Sequence, residues 1–289
     1  MRARREVRFS SVLVTGAGSG IGREAAVRIA ATGASLTLAG RREEPLTGTA
    51  RLCRDAGAAG VLVHPVDVTD AEGVEALVAA AQQAHGPLDA CVHAAGLAAY
   101  GRLEELPLPA ADRVLEVNLL GALRVARPVL RAFRATGHGS LVLVGSVLGR
   151  VVVPEMGAYV VSKWAVRALA RVLQVETRDA PGVHVSLVSP GAVDTPIYPE
   201  AANWTGRSPR PPWPVARADD TAAAVVAVLQ RPRRERLTGW ASPVMVLGGA
   251  LAPVYDRLVA PAMSALGFSG AAPRGWGNLW RDGRETLQG

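Results

Sequence analysis

Six short apolar runs, alternating with stretches of helical periodicity, constrain this chain more than any other feature of its sequence. They are Val12 to Thr15, Ser35 to Ala39, Val61 to His64, Leu88 to His93, Ser140 to Ser146 and Val183 to Val188. Strands that read as near-continuous apolar runs are buried on both faces, which happens where helices cover both sides of a parallel sheet. Helices are predicted over Ile21 to Ala31, Ala71 to Ala84, Ala111 to Phe133 and Ala158 to Thr177. They supply the crossovers that parallel neighbours require. Thr69 and Asp70 stand where an N-cap belongs, just ahead of the second of these helices. The expected fold is therefore α/β, a doubly wound parallel sheet in a single domain with a C-terminal extension. No internal repeat at solenoid or propeller spacing competes with it.

The texture changes after Pro190. Pro196 to Pro214 holds six prolines together with Tyr198, Trp204 and Trp213, which predicts an irregular loop carrying large aromatic surfaces. Loops of that length are usually functional lids or disordered segments. Trp204 and Trp213 either line a pocket or cover the core, and the sequence leaves both readings open. A helix resumes near Asp219 and Asp220 and runs to Gln230. Leu251 to Leu266 reads as a broken helix and Gly275 to Gly289 as a surface tail.

Composition excludes several classes. With 289 residues, 49% of them hydrophobic, the chain can bury a large core. Cys53 and Cys91 lie far apart with no Cys-x-x-Cys, and the five histidines form no ligand spacing. No disulfide framework and no metal site are expected, and a reducing cytoplasm is the expected location. The net charge of +7 would suit nucleic acid or an anionic membrane surface, yet no nucleic-acid partner is expected. Apart from the pair Arg41 and Arg42, arginines cluster only at Arg2, Arg4 and Arg5 and in the run Arg231 to Arg236, and neither cluster interleaves aromatics. The apolar stretch Val12 to Val14 is too short for a signal-peptide core. No transmembrane segment is expected, because the nearest candidate, Pro243 to Met263, is broken by three prolines, Asp256 and Arg257.

The first predicted strand runs into Thr15-Gly16-Ala17-Gly18-Ser19-Gly20-Ile21-Gly22, which opens a helix. Glycines there allow a tight turn and let backbone N–H groups approach a pyrophosphate at the helix N-terminus, as in Rossmann-like dinucleotide sites. The spacing is T-G-x-x-x-G-x-G rather than the generic G-x-G-x-x-G. About 20 residues on, where an NAD site carries an acidic residue for the ribose 2'-hydroxyl, this chain has Arg41 and Arg42. Two guanidiniums and no carboxylate favour a 2'-phosphate, so NADP is expected and NAD is the weaker candidate. The competing reading is that both arginines solvate a helix start.

One residue type is used once. Of 32 Lys plus Arg, 31 are arginine (32 − 1), and the single lysine, Lys163, follows Tyr159 by four residues. On a helix that spacing puts phenol and ammonium on one face. A cation beside a phenol favours the phenolate and makes it a usable proton carrier near neutral pH. Ser146 stands thirteen residues upstream of Tyr159, at the end of an apolar run.

Ser146, Tyr159 and Lys163, taken with the glycine turn, resemble the short-chain dehydrogenase/reductase family over roughly residues 10 to 195. Asp67-Val68-Thr69 is similar to its adenine-side contact. His93-Ala94-Ala95-Gly96 takes the place of its Asn-Asn-Ala-Gly motif. Asn118 matches its helix asparagine, and Pro190-Gly191-Ala192-Val193-Asp194-Thr195 its nicotinamide-side loop. The resemblance implies that Tyr159 is the general acid or base on the substrate oxygen and that Lys163 lowers the phenol pKa and bonds the nicotinamide ribose. Ser146 would bind the carbonyl or hydroxyl, and Asn118 would hold a water behind Lys163. Cofactor contacts are implied for Gly16, Gly18, Ser19, Gly20, Ile21, Gly22, Arg41, Arg42, Asp67, Val68, Ala94, Ala95, Gly96, Asn118, Tyr159, Lys163, Pro190, Gly191, Val193 and Thr195.

His93 and Ala94 depart from the family's asparagines, and His93 reads as a packed or water-bonded histidine. The implied organisation is a basic segment at 1–9, a dinucleotide-binding catalytic domain at 10–249 with a substrate loop at 196–214, and an extension at 250–289. The implied activity is NADP-dependent interconversion of a carbonyl and a secondary alcohol of a small-molecule substrate, by a homodimer or homotetramer. The alternatives are an idle dinucleotide-binding sensor or scaffold, and a sugar-nucleotide epimerase or dehydratase. The short region after Pro190 leaves little room for the latter.

Overall fold

A computed structural model describes residues 9–249 and 255–280. Residues 1–8 of the basic N-terminal segment, and residues 250–254 and 281–289, lie outside the described residues, as do the expectations attached to them. The sheet strands are β1 (Ser11–Thr15), β2 (Ser35–Gly40), β3 (Gly60–Pro65), β4 (Ala90–His93), β5 (Gly139–Val144), β6 (Val183–Pro190) and β7 (Glu235–Thr238). They form one seven-stranded sheet in the order β7-β6-β5-β4-β1-β2-β3, and every neighbouring pair is parallel. This is the doubly wound, Rossmann-like sheet expected from the sequence. The order reverses between β1 and β4, and the carboxyl ends of the strands at such a switch point frame the ligand crevice.

Alternation along the strands sends neighbouring side chains to opposite faces. Val12 and Val14 enter the core that includes Ala25, Ile29, Leu46 and Val225, from helices α1 (Gly20–Ala30), α2 (Glu43–Asp55) and α7 (Ala218–Gln230). Leu13 between them enters the other core with Leu77, Val114, Phe133 and Val166. That face is covered by α3 (Ala71–His85), α4 (Leu108–Leu115), α5 (Gly121–Thr136) and α6 (Gly157–Glu176). Asp70 caps α3, accepting from the Gly73 N–H at 3.0 Å.

The helix predicted over Ala111 to Phe133 is interrupted. One π-helical turn, Glu116–Leu120, separates α4 from α5, and it carries Asn118. Such turns are frequent at functional sites.

β7 was not among the six apolar runs, and its sequence explains why. It reads Glu-Arg-Leu-Thr at the sheet edge, and its register on Leu187 to Pro190 is supported by polar contacts. Glu235 pairs with Arg150 and Arg167 and accepts from Ser189 Oγ at 2.8 Å.

The proline-rich loop is more ordered than an irregular segment. Ala202–Asn203 pairs with Ala99–Tyr100, and Arg207–Pro209 pairs antiparallel with Phe268–Ala271. The broken helix near the C-terminus is a π turn, Tyr255–Val259, running into α9 (Ala260–Leu266), with α8 (Ser242–Gly249) ahead of it. The surface tail expected from Gly275 is corrected over its first residues. Leu279 is fully buried, and Trp276 and Trp280 pack against the core.

Candidate functional site

Two cavities meet along the carboxyl edge of the sheet. The larger, about 240 Å³, is lined by Ser146, Tyr159 and Lys163 together with Ile21, Ala94, Gly96, Pro190, Gly191, Val193 and Thr195. The smaller, about 130 Å³, is lined by Gly16, Gly18, Ser19, Arg41, Arg42, Asp67, Val68, Ala95 and Gly96. Gly96 belongs to both, so the two are halves of one groove across the switch point. Of the remaining predicted residues, Gly20 approaches Thr195, Gly22 packs on Gly16 and Asn118 lies beside Gly96, so each adjoins a lining residue.

The glycine turn follows from packing. A Cβ on Gly22 would fall 2.3 Å from the Gly16 carbonyl oxygen, so α1 is laid directly on the turn that precedes it. Ser19, at the N-cap position of α1, makes no side-chain capping bond, and no acidic residue lies in the first turn. The N–H groups of that helix start are left for another acceptor, the arrangement an anionic diphosphate suits. The residues therefore fit a dinucleotide, whose pyrophosphate the uncapped start of α1 would accept.

Tyr159 and Lys163 lie on one side of α6, one turn apart. The ammonium is 5.4 Å from the phenol ring centroid, and both side chains are buried. Lys163 Nζ donates to the Val144 carbonyl at 3.2 Å. Burial pushes Lys163 down to about 8. Burial also pushes Tyr159 up to about 12, while a hydrogen bond with Ser146 pulls it the other way. The lowered phenol expected from the neighbouring cation is thus reversed in the free chain. Withdrawal from water penalises the phenolate by more than the Ser146 hydrogen bond stabilises it.

Asn118 is fixed from three directions. Its Nδ2 donates to the Leu97 carbonyl and to Ser162 Oγ, each at 2.9 Å, and its Oδ1 accepts from the Leu97 N–H at 2.8 Å. A Cβ on Gly96 would stand 3.3 Å from Asn118 Oδ1 and 3.6 Å from Lys163 Nζ, which locates both polar groups beneath the same backbone. His93 is a packed residue, as read from the sequence. Its Nδ1 lies 2.8 Å from Thr15 Oγ1, and burial with the nearby Lys163 lowers its pKa to about 3, so the ring is neutral.

The arginine pair makes contacts that no local pattern announces. Arg41 donates to the carbonyls of Leu279 and Asn278, and Arg42 lies 3.5 Å from Glu200. Arg113 reaches Asp67, Thr69 and the Leu279 carbonyl. Glu200 and Asn278 line the smaller cavity, and Tyr100, Met156, Tyr198, Met245, Met263 and Phe268 the larger. Tyr198 and Glu200 fall within the substrate loop expected at 196–214; the others had no sequence signal beyond hydrophobicity or polarity. The two tryptophans divide: Trp204 packs on Trp276 and the core, whereas Trp213, 70% exposed, lines the larger cavity.

A parallel sheet with a glycine turn at its switch point and a Ser, Tyr, Lys cluster over its carboxyl edge defines an α/β nucleotide-binding oxidoreductase class. The sequence profile of the short chain dehydrogenases matches residues 10–206, and the chain belongs to that family. An uncharacterized oxidoreductase of Staphylococcus aureus strain USA300 is 35% identical over 222 residues, 76% of this chain and 91% of the relative. One from Staphylococcus saprophyticus is 32% identical over 227 residues, 78% of this chain and 94% of its own. Among solved structures, an alcohol dehydrogenase of the archaeon Thermococcus sibiricus complexed with 5-hydroxy-NADP superposes with TM-score 0.68 at 33% identity, over 79% of this chain and 94% of its own. Levodione reductase superposes with TM-score 0.71 at 27% identity, over 81% and 98%. The chain is an oxidoreductase by family.

Proposed function

We propose that this protein uses NADP to interconvert a ketone or aldehyde and the corresponding alcohol, on a bulky apolar small molecule. The observation that carries the reading is the convergence of Ser146, Tyr159 and Lys163 on one wall of a cavity that opens beside the glycine turn. The remaining walls, among them Tyr100, Leu148, Met156, Tyr198 and Phe268, are mostly apolar. They favour a hydrocarbon-rich substrate with one polar group directed at Ser146 and Tyr159.

When bound, the nicotinamide would supply or accept the hydride. The chain's own residues handle the proton and the placement. Ser146 Oγ donates to the substrate carbonyl oxygen and orients it. Tyr159 Oη holds its proton at neutral pH, because burial raises the phenol to about 12. It is therefore set as the acid that protonates the substrate oxygen as the carbonyl carbon is reduced. The tyrosinate left behind lies near the Lys163 ammonium, which stabilises it more strongly as negative charge develops in a dry site. Asn118, held by Leu97 and Ser162 and lying close to Lys163 beneath the Gly96 backbone, would hold the water from which Lys163 passes a proton back to Tyr159. In the reverse direction the same atoms run as a base.

The preference for NADP rests on Arg41 and Arg42 in the adenosine-side cavity, and a structural neighbour complexed with 5-hydroxy-NADP is consistent with it. A homodimer or homotetramer belongs to the same reading. Leu123 on α5 and Val161, Trp164, Val172 and Val175 on α6 are exposed, and light scattering tests whether a second copy covers them. A cytoplasmic location is proposed with it; among the described residues no helix is long and apolar enough to cross a membrane. The direct test is a panel of apolar ketones and secondary alcohols monitored by NADPH absorbance. Turnover of at least one carbonyl class is expected. Tight NADPH binding with no turnover across the panel would favour an idle sensor instead.

A further inference from the structure

We propose that the C-terminal segment 275–280 is part of the cofactor site: it walls the adenosine 2'-phosphate pocket, orients Arg41 there and joins that pocket to the loop over the substrate cavity. The proposal rests on the NADP reading above and extends it to residues outside the matched family region. Residues 275–280 lie about 240 positions from Arg41 in sequence, yet Arg41 Nη1 donates to the Leu279 carbonyl at 2.8 Å and Nη2 to the Asn278 carbonyl at 2.5 Å. Arg113 Nε donates to the same Leu279 carbonyl at 3.1 Å while its outer nitrogen pairs with Asp67. One short strap thus fixes two cations and, through them, Asp67 along one pocket edge.

A guanidinium has five N–H donors in a planar fork. Two bonds to the strap set the orientation of that fork and leave further donors for a phosphate. Asn278 itself lines the pocket, and its Oδ1 is buried with no hydrogen-bond partner among the described residues. A buried acceptor without a donor is unfavourable until one arrives. A ribose hydroxyl and the adenine amino group are such donors, so the amide completes a site for the nucleoside as the arginines do for the phosphate.

The strap is seated with little tolerance. Gly277 has φ +53°, and a Cβ there would fall 2.4 Å from the Glu200 carbonyl oxygen and 2.5 Å from Ala202 N. Asn278 N donates to the Glu200 carbonyl at 2.9 Å, and its Nδ2 to Glu200 Oε2 at 3.0 Å. Gly275 and Asn203 exchange two backbone bonds of 2.8 Å, and Trp276 packs edge-on against Trp204 with centroids 5.0 Å apart. Glu200 to Trp204 belong to the segment that carries Tyr198, which lines the substrate cavity. Displacing the strap therefore disturbs both ends of the groove, and filling the adenosine end steadies the substrate loop.

The full-length protein tests this in two ways. Trypsin cleavage after the exposed Arg274 is followed with and without saturating NADPH; at least fivefold slowing is expected in the wild-type chain. Gly277→Val and Asn278→Ala are titrated with NADPH by fluorescence. Gly277→Val is expected to weaken binding at least tenfold and to raise the ketone KM severalfold with kcat changed less than twofold; Asn278→Ala is expected to weaken binding about threefold to tenfold. NADPH binding that leaves cleavage at Arg274 unchanged, or variants that bind NADPH as the wild type does, would overturn the strap. If Gly277→Val does not fold, the wild-type cleavage and Asn278→Ala decide. A wild-type chain that binds no NADPH would overturn the cofactor reading beneath the proposal, and the proposal with it.

Discussion

Lys163 and Tyr159 are buried together, the ammonium 5.4 Å from the ring centroid, and burial moves their pKa values in opposite directions, the lysine down to about 8 and the phenol up to about 12. Both shifts disfavour charge. The free chain thus holds a proton on Tyr159 and keeps Lys163 close to losing one, a pairing suited to moving a proton once substrate and cofactor arrive.

That pairing has a signature in stability. The native pKa of Lys163 lies below its ordinary value of 10.5. Above about pH 8 the unfolded chain keeps a proton that the native chain releases, so this residue's contribution to stability rises with pH from about 8 toward 10.5. Its penalty below pH 8 is on the order of 3 kcal/mol. Urea midpoints at pH 7.5 and 8.8, compared with Lys163→Met, check it. The difference between wild type and variant should narrow as the pH rises. A difference independent of pH would mean that the lysine is not desolvated as described.

At the other end of the groove, Arg41→Ala removes one of the two guanidiniums that line the proposed adenosine cavity. A charge-assisted phosphate contact contributes about 1.5–3 kcal/mol, so NADPH affinity should fall roughly tenfold to hundredfold by the same arithmetic. NADH affinity should change much less. Isothermal titration with both cofactors checks this, and equal losses for the two would remove the 2'-phosphate from the explanation.

Glu235 holds the edge strand through Arg150, Arg167 and Ser189. Burial works against its charge, but hydrogen bonds from Arg150 and Ser189 outweigh it and keep the carboxyl below its ordinary value. Its stabilisation is therefore present above the ordinary carboxylate range and is lost as pH falls through the lowered native value. Glu235→Gln should destabilise the fold by about 1–3 kcal/mol at pH 7 and by less near pH 3. Denaturant midpoints at the two values measure the difference.

On α5, Phe133 is fully buried in the cluster it shares with the sheet and with α3, α4 and α6. Phe133→Ala should cost about 3–5 kcal/mol. Urea unfolding followed by circular dichroism checks it, and a cost below about 1 kcal/mol would mean that the site collapses around the missing ring.

The strands that positioned the groove were legible because both of their faces are buried. Val12 to Thr15 and Ser140 to Val144 can be read as sheet centre from hydrophobicity alone. Glu235–Thr238 could not, since an edge strand held by ion pairs has a polar sequence. The catalytic candidates were legible where chemistry is local: Tyr159 and Lys163 are one helical turn apart. The pull of burial on the phenol was not, because desolvation depends on everything packed around α6. Arg41 showed its charge but not its partners. Those partners, Asn278 and Leu279, approach from the far end of the chain in a stretch whose Pro, Gly and Trp content reads as surface. Asn118 was visible as a residue, while the π turn that aims it was hidden inside a continuous helical pattern.

The most direct measurement is single-turnover reduction of an accepted ketone by NADPH, followed by stopped-flow absorbance in wild type and Tyr159→Phe. The variant should bind NADPH within about twofold of wild type and reduce the ketone roughly 100 to 10,000 times more slowly, the range a positioned general acid contributes. A Tyr159→Phe protein that reduces the ketone at the wild-type rate would contradict the proton role given to this phenol.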